Sequence, residues 1–174
     1  MNPVLRYALV AGAIALASAG ALAQKAPAPL ESRLVARKVV VEGGRENLVD
    51  AREARPGDVI EYVATYRNTG TVAIRDLEAT LPIPKDTEFV AGSSRPAGAR
   101  ASTDGQAFAA VPLKRKAKRA DGREVDEPVP LADYRALRWS AGELGAGRSL
   151  AFTARVRVTD ERSARPEPAA GAAK

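Results

Sequence analysis

The stretch that decides the fold is PGDVIEYVATYRNTG, residues 56–70. Both of its ends carry turn residues, since Pro-Gly opens the stretch and Asn-Thr-Gly closes it. Between the turns, Ile60, Tyr62, Ala64 and Tyr66 alternate with residues that are mostly polar. A period of two is typical of a β-strand that buries one face and turns the other to water. The sequence therefore predicts a strand here, with the remaining strands packed around it.

Further stretches combine alternation or a short apolar run with flanking turn residues, and each predicts a strand. These are 34–42, 72–81, 87–91, two weaker candidates within 101–111, 134–140 and 150–159. The last is the most regular, because one register buries Leu150, Phe152, Ala154, Val156 and Val158 together. Residues 47–55 are expected to form a polar connection. About seven short strands without an amphipathic helix favour an all-β antiparallel β-sandwich, with a small barrel as the alternative.

The two ends of the chain differ in composition from this strand-rich part. Residues 1–23 have one basic residue, an apolar run and the small-x-small pattern Ala21-Leu22-Ala23, which is typical of a signal peptide cleaved before Gln24. The competing interpretation, a membrane anchor, would need about 20 strongly apolar residues. We expect a flexible linker at 24–33, the folded domain at 34–160 and a disordered tail at 161–174. The expected location is the periplasm or the exterior, without a stable membrane span.

Composition excludes several classes of site. The chain has neither Cys nor His, so it has no disulfide, no Ser-His-Asp or Cys-His nucleophile and no usual zinc site. Removing residues 1–23 takes away Arg6 and no acid, which leaves 26 Lys and Arg against 21 Asp and Glu, a net charge of +5. Such a mild excess does not predict nucleic-acid binding.

Charge is concentrated in one segment, residues 114–130, which has no apolar face and is expected to form a long charged loop. Six basic side chains precede Glu124, Asp126 and Glu127: Lys114, Arg115, Lys116, Lys118, Arg119 and Arg123. Two interpretations stay open, a solvated loop and a binding site for an anionic polymer or lipid. Asp58 and Asn68 are expected to cap the turns beside the central strand, because Asx side chains bond nearby backbone groups.

A pattern in three separated blocks resembles a known family. The blocks are Pro56-Gly57-Asp58 with Tyr62, Asn68 and Gly70; Phe89-Val90-Ala91-Gly92-Ser93 after a Pro-rich break; and Leu137-Arg138-Trp139 with Gly142, Leu144 and Gly147. They resemble a single copy of the bacterial conserved repeat domain of unknown function, found in cell-surface and envelope proteins. The resemblance implies an immunoglobulin-like fold and a structural role for Gly57, Asp58, Tyr62, Asn68, Gly70, Trp139 and Gly147. One departure is Leu81, where the family commonly has Asp.

Catalytic readings depend on carboxylates alone. Asp76 with Glu78, or Glu124 with Asp126 and Glu127, could form acid–base pairs or calcium ligands, but exposed strands and loops carry such residues routinely. Residues 142–147 lack the Lys-Ser/Thr ending of a phosphate loop and are expected to form a turn. We therefore assign no catalytic, metal or cofactor residue.

Three hypotheses about function follow. The first is a non-enzymatic, exported structural or interaction module of the bacterial cell envelope, with an unidentified envelope partner and an undefined oligomeric state. The second is a protein that binds an anionic polymer or lipid through residues 114–123. The third is a carbohydrate-acting enzyme that uses carboxylates.

Overall fold

The structure is a computed structural model that describes residues 29–159. In chain order its strands are β1 (Leu30–Glu42), β2 (Arg45–Asp50), β3 (Val59–Asn68), β4 (Ile74–Pro82), β5 (Thr87–Phe89), β6 (Arg100–Ser102), β7 (Ala109–Ala110), β8 (Lys114–Lys118), β9 (Glu124–Pro128), β10 (Ala136–Leu144) and β11 (Ser149–Val158). One turn of 3-10 helix, Leu131–Asp133, precedes β10. The expected signal peptide at 1–23 and tail at 161–174 lie outside the described residues.

Two antiparallel sheets pack face to face, which confirms the predicted all-β sandwich. The first has the strand order β2-β1-β3-β11-β5, and the second has the order β4-β10-β6-β7. Strand β3 lies at the middle of the first sheet, where Ala64 is opposite Leu34 of β1 and Phe152 of β11. The stretch at 56–70 is therefore the central strand, as the sequence predicted. A third sheet consists of β8 and β9 alone.

The core lies between the two larger sheets and is rich in aromatic contacts. Phe152 of β11 contacts Trp139 of β10 with ring centroids 5.2 Å apart, and Tyr66 of β3 at 6.0 Å. The stacked rings of Phe89 and Tyr134, 5.7 Å apart, fill another part of the core. Each fully buried side chain of this size contributes about 1.5–3 kcal/mol. The alternation predicted for β11 is confirmed, since Phe152, Ala154 and Val156 are buried.

Three predictions about strands were wrong. Strand β1 begins at Leu30 rather than residue 34, so residues 30–33 of the expected linker pair with β3. Residues 45–50 form β2, although residues 47–55 were expected to form a polar connection. Residues 114–128, expected in an irregular loop, form the β8–β9 hairpin. The count of about seven strands was low because β2, β8 and β9 contain no buried residue.

Candidate functional site

The segment with the six predicted cations is a two-stranded hairpin. In its register, Arg115 is opposite Glu127, Lys116 is opposite Asp126 and Lys118 is opposite Glu124. Opposite charges on facing positions favour strand pairing even without an apolar face. A tight turn at residues 119–123 closes the hairpin, with Gly122 at φ +83°. The physical reason for the wrong loop prediction is this cross-strand pairing.

Pairing also reduces the electrostatic field expected of the segment. Lys116 Nζ lies 2.7 Å from the Asp126 carboxylate, Arg115 lies 4.0 Å from Glu127 and Arg123 lies 3.7 Å from Asp121. The hydrogen bond and charge of Lys116 hold the pKa of Asp126 below its ordinary value. The hairpin thus carries six basic and four acidic side chains, a net charge of +2, and its acids lie beside its cations.

Three cations of the hairpin make no ion pair within residues 29–159: Lys114, Lys118 and Arg119. Because side chains alternate along a strand, Lys114, Lys116 and Lys118 share one face of β8. The base of the hairpin is fixed to the core, since the Leu113 N–H donates to the Tyr134 hydroxyl at 2.7 Å. A depression of about 380 Å³ beside this base is lined by Thr103, Arg115, Val129, Asp133 and Arg135.

Asn68 organises one end of the sandwich. Its side chain is 0% exposed, and its amide NH2 donates to the carbonyls of Val72 at 2.8 Å and Leu144 at 2.9 Å. Its side-chain oxygen accepts the Gly70 N–H at 2.9 Å, a bond expected of a turn-capping Asx residue. Its backbone carbonyl accepts the Gly147 N–H at 2.9 Å. The side chain of Asn68 therefore joins the end of β3 to the end of β10 and to the turn before β4.

The two glycines at this end meet different constraints. Gly147 has φ +69°, a conformation that side chains disfavour. Gly70 is confined by space, because a Cβ there would lie 2.8 Å from the Cβ of Pro29.

Asp58 and Gly57 form the turn that starts β3. One carboxylate oxygen of Asp58 accepts the Arg55 N–H at 2.7 Å and lies 2.8 Å from Lys38 Nζ. Both interactions hold the pKa of Asp58 below its ordinary value, the Lys38 contact being the stronger cause. Gly57 has φ +91° and donates its N–H to Val158 at 2.8 Å. The turn is therefore tied to the end of β11.

The aromatic residues of the predicted pattern lie in or against the core. Trp139 is buried and its indole N–H donates to the Pro96 carbonyl at 2.8 Å. Tyr62 is half-buried against the core, and burial raises the pKa of its hydroxyl. Tyr66 joins the two sheets, since its hydroxyl accepts the Thr80 N–H and donates to the Thr80 carbonyl, both at 3.0 Å. These contacts are structural.

Three of the carboxylates considered for catalysis lie opposite or beside basic side chains. Glu78 lies 3.1 Å from Arg138, while Asp126 and Glu127 face Lys116 and Arg115. Within residues 29–159 no group of three or more acidic side chains is arranged to hold a metal ion.

Sequence reasoning missed the surface formed by β1 and β2. Among the described residues, five large apolar side chains are exposed, and four of them lie on these two strands: Leu34, Val41, Leu48 and Val49. The signal for this hairpin was the pair Gly43-Gly44 between two short runs containing Val and Leu, which favours a two-residue turn. The sequence was interpreted instead as a strand that ends at residue 42 and a polar connection at 47–55.

Comparisons of the chain with protein-family models, with curated proteins and with solved structures find no match. Within the described part of the chain, no helix has the length and apolar character needed to cross a membrane.

Proposed function

We propose that this chain is an exported, non-enzymatic module of the bacterial cell envelope with a structural or interaction role. The observation that carries the proposal is that the buried polar groups form hydrogen bonds inside the fold. Every buried side-chain nitrogen or oxygen within residues 29–159 has a hydrogen-bond partner inside the fold. The buried Asn68 and Thr87 bond to backbone groups, and Ser102 bonds to Asp104 and the turn that follows it. A buried polar group without a partner can mark a catalytic site, whereas here the buried polar groups stabilise the sandwich.

Export rests on the sequence at residues 1–23, and mass spectrometry of the protein from fractionated cells tests it. We expect the exported protein to begin at Gln24. The matched variants are Ala23→Asp, which removes the small residue at the cleavage site, and Ala17→Ser, which leaves that site intact. Only Ala23→Asp should retain Met1. The protein without substitutions would contradict the proposal if it kept Met1 and remained in the membrane fraction.

The non-enzymatic part is tested by incubating the purified chain with isolated envelope polysaccharide and analysing the released sugars. We expect no release. The enzyme hypothesis requires release that Glu78→Gln, or Glu124→Gln combined with Asp126→Asn, abolishes while the protein remains folded.

One observation favours a second function, binding of an anionic polymer or lipid by the hairpin. Lys114, Lys118 and Arg119 have no carboxylate within ion-pair distance among residues 29–159, and two of them share a face with Lys116. Against it, four acids reduce the net charge of the hairpin to +2. Exposed contacts of this kind are screened over about 8 Å at physiological salt.

Vesicles with and without an anionic phospholipid, and a soluble acidic polysaccharide, test this second function. Binding through the hairpin should weaken steeply with salt and be lost when all three cations become Ser. The matched control replaces Arg37, Arg67 and Arg157, three exposed cations on other strands, so that the net charge changes equally. Equal loss in the two triple variants would indicate a net-charge effect and exclude a hairpin site.

A further inference from the structure

Strand β2 is an open sheet edge. It ends the five-stranded sheet, and all six of its residues are exposed. Leu48 and Val49 are 44% and 41% exposed, and the neighbouring Val41 of β1 is 68% exposed. Unpaired backbone groups beside apolar side chains provide a template for another strand.

Hairpin geometry identifies the backbone groups that are unpaired. Gly43 and Gly44 both have positive φ, +58° and +76°, and they connect Glu42 to its partner Arg45. This is the two-residue turn whose closing hydrogen bond joins the first carbonyl to the last N–H. The N–H of Arg45 therefore points to β1, and alternate residues of an antiparallel strand point alternately to each side. The outward N–H and C=O groups belong to Glu46, Leu48 and Asp50.

Strand β4, the long edge strand of the second sheet, cannot pair continuously with another strand. On β4, the Tyr66 hydroxyl occupies both the N–H and the carbonyl of Thr80. Pro82 has no N–H, and Asp76 departs from extended geometry with φ +52°. Among residues 29–159, no group outside the β1–β2 ladder bonds to the outward backbone of β2. Of the edge strands β2 and β4, only β2 offers a continuous row of unpaired backbone N–H and C=O groups.

An ion pair holds β2 in place. Both terminal nitrogens of Arg155 on β11 contact the carboxylate of Glu46, at 3.0 and 2.7 Å. The Nε of the same arginine donates to Glu61 at 2.9 Å. These contacts raise the pKa of Arg155 and lower the pKa of Glu46. The edge is therefore ordered before any partner arrives, which reduces the entropic cost of binding.

The side chains of the edge indicate the partner's chemistry. Glu46, Leu48 and Asp50 share one face and present acid, apolar and acid side chains at successive positions. Residues directly opposite in an antiparallel pair share a face, and opposite charges there are favourable. Glu46 pairs with Arg155 and Asp50 pairs with Arg52 at 3.3 Å, but both acidic side chains remain more than half exposed, so their carboxylates can still accept hydrogen bonds.

A second copy of this chain fits the edge poorly. Antiparallel pairing of two β2 strands about a twofold axis places the same sheet face of both copies on one side. Centring this axis on Leu48 would put Glu46 of each copy opposite Asp50 of the other. Two like-charge pairs are destabilising. Charge therefore disfavours the one register in which a second copy pairs all three outward residues, and it favours a basic segment of a different protein in that register.

We propose that β2 binds an extended segment of another protein as a sixth strand, and that this segment carries an apolar residue with Lys or Arg two positions to either side. The proposal rests on the interaction role given above and identifies the surface and the partner's chemistry. Main-chain hydrogen bonds to Glu46, Leu48 and Asp50 would hold the segment, while its basic side chains would select the register.

Two capped peptides test the proposal with the purified chain: Thr-Lys-Thr-Val-Thr-Lys-Thr, and the same peptide with Glu at both Lys positions. We expect the basic peptide to bind about tenfold more tightly, from two favourable charge pairs. In amide hydrogen exchange, residues 46, 48 and 50 should become protected on binding. Residues 45, 47 and 49 should be protected already by β1.

Two variants separate backbone from side-chain recognition. Leu48→Pro removes an outward N–H but no bond to β1, so it should abolish binding while residues 45, 47 and 49 stay protected. Asp50→Asn keeps the backbone edge and the contact of Glu46 with Arg155, so the preference for the basic peptide should fall from about tenfold to about threefold. If Leu48→Pro fails to fold, the second variant still tests whether the acidic side chains of β2 select the basic peptide.

Several results would overturn the proposal. These are absence of binding by the basic peptide, equal affinity for both peptides, or new protection at β4 instead of β2. Protection of residues 46, 48 and 50 without peptide would mean that the edge is already covered, and sedimentation would show whether a second copy covers it. None of these results affects the Gln24 test of export, so the two proposals can fail separately.

Discussion

The end of the sandwich around Asn68 and the β8–β9 hairpin are both held by short polar contacts, but in different surroundings. Asn68 is buried, and its amide bonds two carbonyls at 2.8 and 2.9 Å. Lys116 and Asp126 approach to 2.7 Å while half or more of each side chain remains exposed. Breaking the first contact leaves buried groups unsatisfied, whereas water replaces the second. Burial, rather than distance, therefore decides how much each contact stabilises the fold.

The largest effect should come from the core that supports the Asn68 end. Phe152→Asp places an unpaired charge between the two sheets and should destabilise the protein by several kcal/mol or prevent folding. Thr153→Asp is the matched control, since Thr153 lies on the outer face of the same strand. It should change stability by no more than about 0.5 kcal/mol. Equal midpoints of urea unfolding for the two variants would contradict the register of β11.

The next effect isolates Asn68 itself. Asn68→Ala leaves the carbonyls of Val72 and Leu144 and the Gly70 N–H without partners, and should cost about 2–4 kcal/mol. Asn47→Ala provides the control, because Asn47 is exposed on β2 and makes no side-chain hydrogen bond within residues 29–159. Chemical denaturation of both variants measures the difference. A loss below 1 kcal/mol for Asn68→Ala would mean that water or rearrangement satisfies those groups.

A smaller loss of stability should result from Gly70→Ala, at the same end of the sandwich as Asn68. The added Cβ would lie 2.8 Å from the Cβ of Pro29, so the backbone must shift, at about 1–3 kcal/mol. Gly145→Ala is the control, because its Cβ would meet only the flexible side chain of Arg148 at 3.4 Å. We expect Gly145→Ala to be within about 0.5 kcal/mol of the parent. Equal melting temperatures would remove the steric argument for Gly70.

The comparison also explains what the sequence could predict. Strands β3 and β11 each bury one face, so their alternation in sequence gave the correct register. Asn68 was expected as a turn cap from its residue type alone. Its bond to Leu144 could not be foreseen, because 76 residues separate the two in sequence and only the sheet topology brings them together.

The exposed strands β2, β8 and β9 were not predicted, for a related reason. Strand β2 has no buried residue, so no alternation marks it, and its position depends on pairing with β1 and on the contact of Glu46 with Arg155. The β8–β9 hairpin is held by cross-strand charge pairs, whereas the sequence was read as one basic run followed by acids. The six basic residues were grouped as one cluster, but the carboxylates that neutralise part of their charge were not placed beside them.

The smallest effect should arise in the hairpin, where a local electrostatic change is expected without a change in stability. Lys116 lowers the pKa of Asp126 through a hydrogen bond and its charge. A carboxylate with a lowered pKa stabilises the fold above its unfolded pKa, and this contribution is lost as the pH falls through the folded pKa. Exposure to solvent makes the contribution of such a pair minor.

Lys116→Ala should therefore raise the pKa of Asp126 toward its ordinary value, as measured by NMR titration of the carboxyl group, while the melting temperature at neutral pH stays unchanged. Lys118→Ala is the matched control on the same face of β8, and it should leave the Asp126 titration nearly unchanged because Lys118 faces Glu124 instead. A fall in melting temperature with Lys116→Ala would show that the Lys116–Asp126 pair stabilises the fold, as the buried contacts of Asn68 do. An unaltered titration would show that Lys116 does not hold Asp126 in solution, and both lysines would then be free for an anionic ligand.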